Sequence, residues 1–67
     1  MGSLNVESSK LDINEISVYD VLGKKLLNLK NIQQKQITIS QLKPTTNVIL
    51  VKVTLENGSV VTKKVIY

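Results

Sequence analysis

The sequence predicts an all-β fold, a small Ig-like β-sandwich of about six or seven antiparallel strands. Three observations lead there. Apolar residues recur in most segments with the two-residue period of a strand rather than the period of a helix. The strand-forming types Val, Ile and Thr are abundant. Turn-forming Asp-Val-Leu-Gly and Asn-Gly sequences separate the apolar runs. No heptad, amphipathic helix or internal repeat competes with this pattern, and a small open barrel is the alternative way to close the same strands.

Leu4 and Val6 alternate with Asn5 and Glu7 in a short first strand, and Ser8-Ser9-Lys10 supplies turn chemistry before a link through Leu11 and Ile13. In the second strand Ile16 and Val18 alternate with Ser17 and Tyr19. It ends at Asp20-Val21-Leu22-Gly23, which suits a type I turn followed by a left-handed residue. Asp20 accepts hydrogen bonds at the first position and Gly23 tolerates positive φ at the last, so a hairpin with a bulge at Gly23 is expected. Lys24 to Leu29 returns as the third strand, with Leu27 and Leu29 on one face and Leu26 on the other.

Asn31 to Gln36 is polar and Gln-rich and reads as a loop, the most expendable stretch of the chain. Ile37 and Ile39 flank Thr38 in a fourth strand. Ser40-Gln41-Leu42-Lys43-Pro44 follows, with Leu42 placed to plug the end of the core and Pro44 ending regular pairing. Ile49, Val51, Val53 and Leu55 alternate with increasingly polar neighbours in the fifth strand, and Val60 to Tyr67 returns as the last. Between them Asn57 and Gly58 read as a two-residue type I′ turn, both at positive φ.

That turn has a consequence for the final hairpin. A two-residue loop sets Leu55 opposite Val60, Val53 opposite Thr62 and Val51 opposite Lys64, so Lys64 faces the core. It also sets Lys52 against Lys63 on the outer face, where like charges are destabilising. A three-residue loop instead leaves Lys52 opposite Lys64 and turns Lys63 inward. Folding alone explains the Lys63-Lys64 pair poorly in either register. The stem of one lysine snorkels past the sandwich edge, or the pair serves recognition.

Composition narrows the function classes. At 67 residues and 7.4 kDa the chain has room for one domain. It has no Cys and no His, so disulfide bridges, a thiol nucleophile and Cys/His zinc sites are excluded, and an aliphatic core must hold the fold alone. The formal charge of +4 raises nucleic acid as a partner. However, all nine basic residues are Lys and the only aromatics are Tyr19 and Tyr67. Nucleic-acid recognition favours bidentate Arg and aromatic stacking platforms, so the lysines read as a solvated face and no nucleic acid is expected.

The remaining chemistry is sparse. Glu7, Asp12, Glu15, Asp20 and Glu56 fall at turns or strand ends, and no nucleophile, base or carboxylate pair forms a catalytic constellation. Asp12, Asn14 and Glu15 come nearest to a calcium loop but match no loop signature. Gly23-Lys24-Lys25 lacks the rest of a phosphate loop. No enzyme activity, cofactor or metal is expected. The longest apolar run, Val48 to Val51, is far shorter than the roughly 20 residues of a membrane-spanning helix. Met1-Gly2-Ser3 reads as a start codon and cloning residues, leaving residues 4–67 as the domain.

Ile16-Ser17-Val18-Tyr19-Asp20-Val21-Leu22-Gly23-Lys24-Lys25-Leu26 resembles the central motif of the type A C-terminal sorting domains of type IX secretion cargo, a strand ending in a Tyr-Asp/Asn-x-Leu-Gly turn. It occurs in order with Ile37-Thr38-Ile39-Ser40-Gln41-Leu42, with Leu50 to Gly58, and with a final Thr62-Lys63-Lys64-Val65-Ile66-Tyr67. The family's usual opening Asn-Pro is replaced by Met1-Gly2-Ser3, which implies an N-terminal trim, and its Gly-x-Tyr by Thr45-Thr46-Asn47-Val48.

The resemblance implies an Ig-like domain that folds in the periplasm and directs an attached N-terminal passenger across the outer membrane to the cell surface or medium. Its implied partners are the type IX translocon and shuttle components and a sortase-like peptidase that removes it, cleaving upstream of this chain. Any signal peptide of an exported parent lies upstream too. Lys63, Lys64, Val65 and Ile66 of the last strand are the expected recognition residues, while Asp20, Gly23, Asn57 and Gly58 are structural turns. The rival reading is an Ig-like accessory module binding carbohydrate or protein at a cell surface, with Tyr19 and Tyr67 as a small stacking platform. An unshielded first strand also predicts edge-to-edge homodimers.

Overall fold

A computed structural model describes residues 3–41 and 48–67. Leu42 and Pro44, expected to plug the core and to end pairing, lie outside the described residues. The strands are β1 (Leu4–Glu7), β2 (Ile13–Asp20), β3 (Lys25–Leu29), β4 (Gln36–Ile39), β5 (Val48–Leu55) and β6 (Val60–Ile66). All pairings are antiparallel. They build a four-stranded sheet in the order β3-β2-β5-β6 and a two-stranded sheet of β1 and β4. The expected all-β sandwich is therefore present, with six strands in two layers and a thinnest dimension of 17 Å. Two sheets pack about 10 Å apart, which sets that thickness.

β2 and β5 lie at the centre of the larger sheet because they carry the longest runs of inward aliphatics. Ile13, Ile16, Val18, Ile49 and Val51 meet Ile39 from the smaller sheet in the core. Val18 stands opposite Val51 on one side and Leu27 on the other, and Ile16 stands opposite Val53 and Leu29. β2 begins three residues earlier than the Ile16 start read from its alternation. Its register against β5 shifts between Ile13 and Glu15, and the extra residue turns Ile13 onto the same face as Ile16. A strict two-residue pattern hides this, since Ile13 and Ile16 are an odd number of residues apart.

The hairpin at Asp20–Gly23 forms as expected. Gly23 N–H donates to the Asp20 carbonyl at 3.0 Å, Asp20 N–H donates to the Lys24 carbonyl at 2.9 Å, and Gly23 has φ +90°. Asp20 Oδ1 accepts from the Leu22 and Lys24 amides, both at 2.9 Å. A second register shift between Val18 and Tyr19 makes Leu26 the extra residue on β3 and leaves Lys25 beside Tyr19.

The last hairpin departs from the type I′ expectation. Gly58 N–H donates to the Leu55 carbonyl at 2.9 Å and Leu55 N–H donates to the Ser59 carbonyl at 2.8 Å, so the loop is Glu56-Asn57-Gly58. Only Gly58, at φ +87°, is left-handed; Asn57 is not among the positive-φ residues. Instead Asn57 Oδ1 accepts from Ser59 N–H at 2.9 Å. This turn places one residue in the left-handed region where type I′ needs two, and Gly58 takes that position. The register that follows is neither of those anticipated: Val53 faces Val61, Lys52 faces Thr62, Val51 faces Lys63 and Leu50 faces Lys64. Neither Lys52–Lys63 nor Lys52–Lys64 is opposed, and Lys63 turns to the core side, as the three-residue loop expects.

Asn31 to Gln36 is also better tied than an expendable loop. Ile13 N–H donates to the Gln34 carbonyl and Ser8 N–H to the Lys35 carbonyl, both at 2.7 Å, and Gln33 N–H donates to the Ile13 carbonyl at 2.8 Å. Ile32 packs against the core, and Asn31 and Gln33 adopt positive φ to place it. The segment bridges the two sheets through backbone bonds, which composition does not reveal.

Candidate functional site

β6 is an edge strand whose side chains alternate between two different surfaces. Lys63 and Val65 point to the core side, opposite Val51 and Ile49; Val65 is half-buried against the core. Lys64 and Ile66 point outward, opposite Leu50 and Val48, and Ile66 is 74% exposed. The expected recognition residues therefore do not share one patch. The expected turn residues Asp20, Gly23 and Gly58 do hold the turns, and Asn57 supports its own through its side chain.

On the outer face of the larger sheet the register aligns Lys25, Tyr19, Leu50 and Lys64 in one row across the strands. The neighbouring row is Asn28, Ser17, Lys52 and Thr62. Lys25 Nζ sits 5.9 Å from the Tyr19 ring centroid, within cation–π range. Asn28 Nδ2 donates to Ser17 Oγ at 2.7 Å and to Glu15 Oε2 at 2.9 Å, which satisfies the buried Ser17 and engages the one carboxylate of this face. Lys25, Lys52 and Lys64 are exposed on this face.

The sequence does not mark the core side of β6 as a site. β1 and β4 cover β2 and β5, whereas β6 is left partly bare: Val61 is 44% exposed. Between β1 and β6 runs a groove of about 280 Å³. Leu4 and Val6 form one wall, Val53 and Val61 the floor, and Lys63 brings the single cation among its lining residues. The hydrogen bond from Ser8 to Lys35 sets the phase of the β1–β4 ladder, and by alternation Asn5 and Glu7 turn their peptide groups away from β4, along the groove rim. No local sequence signal marks this site, because it arises from the unequal strand count of the two sheets, which pairing alone sets.

The acidic residues are dispersed. Asp12 Oδ1 pairs with Lys35 Nζ at 3.4 Å on the surface, while Glu15 is held by Asn28. Among the described residues, no three acidic side chains stand where they could share a metal ion.

Fold and site together define a small β-sandwich module with an open groove beside its terminal hairpin. The chain belongs to the family described as a domain of unknown function, DUF8694, whose model matches residues 1–67. No curated protein matches it.

Proposed function

We propose that this domain is a non-enzymatic C-terminal sorting domain of the type used in type IX secretion. It carries an attached passenger through the periplasm and across the outer membrane, and a sortase-like peptidase then removes it. The observation that carries this reading is the turn at Tyr19-Asp20-Val21-Leu22-Gly23, in the segment that resembles the family motif. Asp20 and Gly23 build the turn, but Leu22 is 91% exposed and Val21 65% exposed, so folding makes little use of two large apolar side chains at the hairpin tip. A solvent-facing apolar tip suits contact with another protein.

The exposed lysines of β6 support the same reading, and because they lie on opposite faces they can be tested separately. A reporter bearing a signal peptide is fused ahead of this domain and expressed in a strain with an active type IX system. Export falls when Lys63 and Lys64 are both replaced by Ala, and the single variants Lys63→Ala and Lys64→Ala assign the loss to the groove face or the outer face. Unchanged export of a folded double variant would sink the role given to β6.

A further inference from the structure

We propose that the groove between β1 and β6 docks an extended peptide strand of alternating aliphatic and acidic character, which adds to the edge of β1 that bears no strand among the described residues. This inference stands on the geometry of the groove and does not rest on the sorting role.

Three features converge there. The first is a missing layer: the larger sheet has four strands and the smaller two, so the position beside β1 in the smaller sheet is empty among the described residues. A strand placed there would lie about 4.8 Å from β1 and about 10 Å above β6. The second is hydrogen-bonding capacity, because the peptide groups of Asn5 and Glu7 face that position without a partner strand among the described residues. The third is chemistry: the floor presents Val61, Lys63 and Val65, an aliphatic-cation-aliphatic series on alternate residues. At about 280 Å³ the groove falls just below the roughly 300–1,000 Å³ of pockets that enclose small molecules. An open trench bordered by backbone suits strand addition instead.

Charge decides the occupant. An incoming strand sends every second side chain inward, so the residue over Lys63 is a carboxylate and those two positions to either side are Val, Ile or Leu. On its outer face a basic residue is favoured opposite Glu7. A second copy of this chain fits poorly. The inward residues of its β1 are Leu4 and Val6, with no carboxylate, and its β6 would bring Lys63 and Lys64 against Lys63.

The test is a selection of random octapeptides displayed on phage against the full chain. On the unmodified protein, enriched peptides carry Asp or Glu flanked two residues away by aliphatics. Lys63→Glu switches the selected charge to Lys or Arg, and Lys63→Met removes the charge preference and weakens the original peptides by about tenfold or more. Nitrogen-15 spectra of the full chain with a synthetic selected peptide show shifts at the Asn5 and Glu7 amides. No enrichment, an acidic preference that persists in Lys63→Glu, or shifts confined to the Tyr19 face would each overturn the proposal. So would concentration-dependent shifts at Asn5 and Glu7 without peptide, which would put a second copy in the groove. The selection uses no secretion system, so its failure is separable from failure of the export assay.

Discussion

The β2–β3 and β5–β6 hairpins close in the same way and end in different environments. Each uses a type I turn with a left-handed glycine, Gly23 or Gly58, followed by a closing backbone pair, Asp20–Lys24 or Leu55–Ser59. The first is buttressed from the turn's opening residue, where Asp20 holds two amides; the second from its third residue, where Asn57 holds one. Beyond the turns the resemblance ends. Val18 in β2 is fully buried under the smaller sheet, while Val61 in β6 is 44% exposed. Local chemistry decides how a hairpin closes, and the second sheet decides which of its strands becomes core.

The sharpest way to break this comparison is to truncate both environments. Ile16→Ala in β2 removes a side chain with no exposed surface and is expected to destabilise by about 2–5 kcal/mol. A domain of this size rarely holds more than about 3–5 kcal/mol, so the variant loses a large share of its stability and its urea midpoint falls steeply. Val61→Ala in β6 is expected to change stability by less than about 1 kcal/mol. Urea titrations followed by circular dichroism measure both. Similar midpoints for the two variants would mean that β6 is covered in solution.

The turns themselves should respond alike. Gly23→Ala and Gly58→Ala each force a side chain into the left-handed region, and an added Cβ meets nothing within 4 Å at either site. Backbone strain alone then costs about 1–2 kcal/mol in both. A difference beyond experimental error in the same titrations would show that the turns are not equivalent.

The smallest effect separates the two buttresses. Asp20→Ala removes the acceptor of two amide hydrogen bonds and is expected to cost about 1–2 kcal/mol, against about 0.5–1 kcal/mol for Asn57→Ala, which removes one. Thermal melts of the pair rank them, and a larger loss for Asn57→Ala would reverse the assignment of which turn depends more on its side chain.

Much of this is legible in the sequence, residue by residue. The alternation of Ile49, Val51, Val53 and Leu55 marked β5, and Asp20 with Gly23 marked a bulged turn, because both signals are local. Ile13 reads as a link because a bulge at its register shift changes the phase of the strand, and a bulge leaves no mark in a periodic pattern. Asn57-Gly58 reads as the whole loop because two turn types accept that dipeptide, and in the one that forms Asn57 Oδ1 accepts from Ser59 N–H. The groove was invisible because it depends on which strands share a sheet.

By itself, then, the sequence determined that this chain is built of strands and where they turn. These properties follow from side-chain period and from the φ preferences of Asp, Asn and Gly, which act over a few residues. Only the tertiary structure decided that Lys63 faces a groove and Lys64 the opposite surface, since a shift of one residue in pairing register exchanges the two faces of a strand.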